Sequence, residues 1–145
     1  MSVTFADFDT HKDNFPRMRQ IMPVVDHALA ALVEDLDSKG MLNDVAIVVW
    51  GEFGRSPKVS KDGGRDHWPE VGPALLAGGG WKAGQVIGAT DKSGGRVTDR
   101  PVSYEDVFAT LYHLFGVDAR KTTFKDPSGR PQHYLEGGEP IKELL

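Results

Sequence analysis

Seven side chains able to do chemistry fall in three short stretches: Asp9 and His11; Glu52 and Arg55; and Arg65, Asp66 and His67. On an extended segment, residues two apart share a face, so Asp9 and His11 can reach one ion. Carboxylate plus imidazole suits zinc, manganese or iron better than calcium. The alternative is an Asp-Thr-His turn that only starts the connection to the next element. Glu52 is a further ligand, a carboxylate behind the ligands, or an ion-pair partner of Arg55 or Arg65. In Gly64-Arg65-Asp66-His67-Trp68, His67 can ligate through neutral imidazole, with Asp66 orienting it or binding directly. Arg55 and Arg65 have the fork geometry that grips phosphate or sulfate. A loop merely pinned by Trp68 is the structural alternative. The concentration of Arg, Asp, His and Trp in one loop favours function.

The elements around these stretches determine whether they can meet. Val45–Trp50 is an apolar run of the kind buried in a parallel sheet, and Glu52 and Arg55 follow its carboxyl end. Val3–Phe8 is β-compatible and leads into Asp9 and His11 in the same way. Between them, Met18, Ile21, Met22, Val25, Leu29, Leu32, Val33 and Leu36 recur at helical spacing. Asn14 is placed to cap this helix and Gly40 to end it, and Pro23 should kink it or split off its first turn. Strand, helix and strand form a βαβ unit, which puts Asp9 and His11 near Glu52.

Further along, Arg55–Trp68 reads as a long functional loop, Val71–Ala77 as a strand, and Gln85–Ala89 as a short edge strand. Ser103 and Asp106 form a capping box for a second helix that Gly116 closes. The tail from Lys121 to Leu145 is loop-rich and should wrap the surface rather than add sheet. His27, His113 and His133 have no evident partners. Ser56 and Ser60 lack a nucleophile elbow or a Ser-x-x-Lys pattern.

Composition sets the limits. The 145 residues make one domain, 39% hydrophobic and 26% charged, which describes a folded chain rather than a disordered one. A net charge of −4 gives no footprint for nucleic acid. No apolar run is long enough to span a bilayer. With no cysteine, thiolate ligands, disulfides and a Cys nucleophile are excluded. The first residues lack the charged and apolar regions of a signal peptide.

The motifs also carry a family resemblance. Phe8-Asp9-Thr10-His11, Gly51-Glu52-Phe53-Gly54-Arg55-Ser56-Pro57 and Gly64-Arg65-Asp66-His67-Trp68 occur in that order. Leu75-Leu76-Ala77-Gly78-Gly79-Gly80, Gly84-Gln85-Val86-Ile87-Gly88 and Ala109-Thr110-Leu111-Tyr112-His113-Leu114-Phe115-Gly116 follow. Together they resemble the C-terminal part of the DUF1501 proteins of bacteria, and through them the alkaline phosphatase and sulfatase superfamily. The resemblance implies a three-layer α/β/α sandwich of alkaline phosphatase type, with residues 1–145 as a partial domain. It implies Asp9, His11, Glu52 and His67 as metal ligands, Asp66 behind them, and Arg55 and Arg65 on a small anionic ester. The expected cofactor is a divalent metal, zinc first, with manganese or calcium as alternatives. The superfamily has His after its later acid, and this chain has Phe53. The nucleophile and an export signal to the periplasm or beyond are expected upstream of Met1. Sheet edges left open by a missing half would favour association. A non-catalytic metal- or anion-binding module of an exported protein is the rival reading.

Overall fold

The apolar stripe from Met18 to Leu36 forms one helix, α1 (Asn14–Ser38), in the computed structural model, which describes residues 1–145. Gly40, at φ 67°, closes it. Its N–H reaches the Asp37 carbonyl at 2.9 Å, and the Met41 N–H reaches Leu36 at 2.8 Å. The start departs from expectation. Asp13 rather than Asn14 is the cap, and its side chain makes no capping bond. Instead the amides of Asp13 and Asn14 donate to the carbonyls of Asp62 and Gly63, at 3.0 and 2.9 Å. A distant loop thus satisfies two amides at the helix start that have no helical acceptor. Pro23 does not divide the helix. Its missing N–H frees only the Arg19 carbonyl, and both residues are exposed, so water can take that carbonyl.

The fold is mixed α/β, two helices with four two-stranded antiparallel sheets. β1 (Ala46–Trp50) pairs with β4 (Ala74–Gly78), Val48 opposite Leu76. β2 (Gly54–Arg55) pairs with β3 (His67–Trp68), β5 (Ala89–Thr90) with β6 (Val97–Asp99), and β7 (Thr123–Lys125) with β8 (Pro131–His133). The strands expected at Val45–Trp50 and Val71–Ala77 are therefore present, and β5 overlaps Gln85–Ala89 at Ala89 alone. The strand expected at Val3–Phe8 is not. Asp7, at φ 83°, breaks the extended run, and Phe8 turns onto Phe5 with ring centroids 5.9 Å apart. Without that strand the parallel βαβ unit does not form, and β1 takes an antiparallel partner from later in the chain.

The main buried cluster lies on one side of β1 and β4. Ala46, Val48 and Leu76 pack against Trp81, Val107, Ile141 and Leu144. Val107 belongs to α2 (Tyr104–Leu114), which opens on the expected capping box. Ser103 Oγ accepts the Asp106 N–H at 3.1 Å, and the Asp106 carboxylate accepts the Ser103 N–H at 2.8 Å. Gly116 and Val117 close α2 as Gly40 and Met41 close α1, with bonds of 2.9 Å to His113 and Tyr112.

The tail corrects a second expectation. It adds the β7–β8 hairpin, and its Ile141 and Leu144 are core residues. Two side chains of α2 hold it. Asp106 accepts the Glu139 N–H at 2.9 Å. The fully buried Thr110 donates to the Asp106 carbonyl at 2.7 Å and accepts the Ile141 N–H at 2.9 Å. No helix is long and apolar enough to cross a membrane.

The hairpin turns β5–β6 and β7–β8 share one device, Asp-x-Ser-Gly at 91–94 and 126–129. Each Asp carboxylate accepts the N–H and O–H of the Ser two residues on and the N–H four residues on. The Ser128 hydroxyl and then the Arg130 amide hold Asp126 at a pKa of about 2.

Two predictions follow from this packing. Thr110→Val keeps the side chain's shape but strands the buried Ile141 amide. We expect a loss of about 1–3 kcal/mol in denaturant unfolding, and an unchanged midpoint would refute the tail anchor. Asp126 is depressed below its unfolded value, so its carboxylate stabilises the fold above pH 4 and stops doing so as pH falls toward 2. The stability gap between wild type and Asp126→Ala should therefore be full at pH 6 and shrink between pH 4 and 2. A gap that stays constant would count against the turn device.

Candidate metal centre

The hairpin β2–β3 sets the centre. Arg55 and His67 are direct cross-strand partners, so one ladder fixes a guanidinium and an imidazole side by side. The loop joining the two strands is tied to itself at Ser56. Its N–H donates to the Asp66 carbonyl at 2.9 Å, and its hydroxyl bonds Lys58 O at 2.7 Å and the Asp66 N–H at 3.1 Å. Ser56 is buried, and Ser60 Oγ accepts the Gly64 N–H at 3.0 Å, so both hydroxyls are structural.

The same loop runs against the segment that carries Asp9 and His11. Besides the bonds to Asp13 and Asn14, Arg65 donates its N–H to Thr10 O at 3.1 Å, and Lys12 bridges Gly63. Gly64 sits where a Cβ would be driven into the His11 carbonyl. This approach, rather than a parallel strand pair, brings the two clusters together.

Three ligand-type atoms then converge. His67 Nε2 lies 2.9 Å from Asp9 Oδ1, His11 Nε2 lies 3.1 Å from the same oxygen, and the two Nε2 atoms are 3.2 Å apart. Asp66 Oδ1 is 3.1 Å from His11 Nδ1. A proton on Nδ1 satisfies that carboxylate, and in the neutral ring it leaves the lone pair on Nε2, facing Asp9 and His67. Asp66 therefore orients His11, not the adjacent His67. Arg55 donates to Asp9 Oδ1 at 2.8 Å and to the Arg65 carbonyl at 3.2 Å. Accepting from His67 and then from Arg55 lowers the Asp9 pKa to about 2. The side chains are open to solvent, His11 and His67 near half exposed, so the cluster lines a shallow surface rather than a closed cavity.

Two expected members lie elsewhere. Glu52 is exposed, makes no ion pair or side-chain hydrogen bond, and stands outside the cluster. It leaves β1 before the chain turns into β2, and that turn aims Phe53 inward instead. Arg65 spends Nη1 on the carbonyls of Ser56 and Pro57, at 2.8 and 3.4 Å, and stacks over Phe15 at 5.6 Å. It holds the loop's shape, while Arg55 alone touches the cluster. Phe53, expected only as the residue that stands where the superfamily has His, joins the site: its ring lies 4.2 Å from that of His67. The available signal was its place immediately before β2, two residues from Arg55.

The whole chain, residues 1–145, matches the family model described as Protein of unknown function (DUF1501). The chain belongs to the DUF1501 family. No curated protein and no solved structure matches it.

Gly64→Ala tests how the centre is built. Its Cβ meets backbone, which cannot swing aside, so we expect a loss of about 1–3 kcal/mol. Gly137→Ala, in open space, is the neutral control. Equal melting temperatures for the two variants would remove the close approach as the organising contact.

Proposed function

We propose that this DUF1501 chain carries a divalent-metal centre formed by Asp9, His11 and His67, within a hydrolase domain of the phosphatase and sulfatase type that acts on phosphate or sulfate esters. The observation that carries this reading is the convergence of two imidazole nitrogens and one carboxylate oxygen within 3.2 Å of one another. Ligands about 2.0–2.1 Å from a tetrahedral zinc stand about 3.3–3.4 Å apart, so the three atoms are within a few tenths of an ångström of that spacing. Without an ion, the two Nε2 atoms and Oδ1 must share a proton in the same space. Two imidazoles and a carboxylate suit zinc, then manganese, and argue against calcium, which takes oxygen ligands.

A bound metal would act as a Lewis acid on a phosphoryl or sulfuryl oxygen. The chain's own groups would do the rest. Asp66 holds His11 in the ligating tautomer. Arg55, already at the edge of the cluster, would meet a negative oxygen of the ester. Arg65 would act through the loop. No hydroxyl stands ready as nucleophile. Thr10 is buried, and its Oγ1 accepts from Asn14. The reading therefore places the nucleophile outside residues 1–145, together with the layers that would complete an α/β/α sandwich. The unpaired edges of β1 and β4 would favour association of the isolated chain.

A second reading, a binding module without turnover, is favoured by the lack of a hydroxyl at the cluster. It shares the metal centre and differs in having no ester hydrolysis in any longer form of the protein.

Thermal melts with and without zinc and manganese test the centre. A ligand that binds only the native state adds about 2.7 kcal/mol at a hundredfold excess over Kd. The rise should vanish in His11→Ala and His67→Ala and persist in Glu52→Ala. No rise with either metal, or a rise that survives both histidine changes, would sink the proposal.

A further inference from the structure

The two histidines of the cluster are held by different physics. His11 has Asp66 on Nδ1 at 3.1 Å. His67 contacts Asp9 and His11 through Nε2, and no protein group bonds its Nδ1. Against its ring instead lies Phe53, with centroids 4.2 Å apart and planes inclined by 31°. The Arg55 guanidinium sits 5.7 Å from the Phe53 centroid and donates to Asp9 Oδ1. One half-buried phenyl ring therefore touches both groups that reach Asp9 from the β2–β3 hairpin.

An imidazole attached to a strand through two single bonds, with nothing on its second nitrogen, is free to turn about χ2. Hydrogen-bonded partners of ligating histidines normally remove that freedom, and losing one typically lowers metal affinity 10–100-fold. A ring packed on the imidazole face restricts the same rotation by excluded volume and π contact. Packing selects the ring plane but leaves the Nδ1 proton uncommitted, whereas Asp66 fixes both for His11.

We propose that Phe53 is the positioning residue for His67, its ring packing replacing the hydrogen bond that Asp66 supplies to His11. The inference rests on the metal centre proposed above. It predicts an aromatic requirement at position 53 that no ligand count reveals.

Zinc titration of the full chain by calorimetry, with cobalt absorption as a second readout, tests it. Phe53→Ala should weaken zinc binding by about 10–100-fold and change the cobalt ligand-field bands, which report coordination geometry. Phe53→Tyr should restore both. Phe124→Ala removes an exposed aromatic on β7, away from the centre, and should change neither. Wild-type affinity and bands in Phe53→Ala would overturn the positioning role, as would a Phe124→Ala loss equal to that of Phe53→Ala. If the wild-type chain binds neither ion, the metal centre itself falls, an outcome distinct from tight wild-type binding that is indifferent to residue 53.

Discussion

The contact between residues 62–65 and residues 10–14 is the constraint on which the rest of the centre depends. Three backbone bonds join the two segments: Asp13 N–H to Asp62, Asn14 N–H to Gly63, and Arg65 N–H to Thr10. The first two satisfy amides at the start of α1 that have no helical acceptor, so the loop lying alongside completes the helix start. The chains approach so closely that only glycine fits at position 64. Asp9 and His11 on one side and Asp66 and His67 on the other are then neighbours by construction. A local question, how a helix start is capped, and a functional one, how ligands converge, share one answer.

The core is organised by a different principle. The core behind β1 and β4 is closed by the chain's last residues, Ile141 and Leu144, held on α2 through Thr110 and Asp106. Arg100 reinforces that closure with two bonds to Glu143, at 2.7 and 2.9 Å. The exposed cluster and the buried core meet through β1, whose carboxyl end leads into Phe53 and β2. Trp50 at that end packs edge-on against Tyr104 and Phe108 of α2, which steadies the strand from which the β2–β3 hairpin departs.

Much of this was legible residue by residue. Helical spacing gave α1; Gly40 and Gly116 gave both helix ends; and Ser103 with Asp106 gave the capping box that opens α2. These signals are local, since each is satisfied within one or two turns of chain. Asp9, His11 and His67 were each recognisable as ligand types from the sequence, but their grouping came only with the family resemblance, which also included Glu52. Less visible were Phe53, whose role depends on how the turn before β2 meets His67, and the tail. Ile141 and Leu144 sit among Pro, Gly and charged residues, where no periodicity marks them as core.

The sequence by itself determined the element types and the stock of chemical groups, because propensity, capping and ligand chemistry belong to residues and their near neighbours. Only the tertiary structure decided which groups meet. Whether β1 pairs with an earlier segment in parallel or with β4 antiparallel is a choice between long-range ladders of similar local propensity. That choice left Val3–Phe8 without a strand partner and Glu52 outside the cluster. It also gave the approach of Asp9 and His11 to His67 to a glycine loop rather than to a sheet. Asp66 took its place through a contact across the chain, an imidazole 55 residues away, whereas Arg65 was claimed within its own loop by the carbonyls of Ser56 and Pro57.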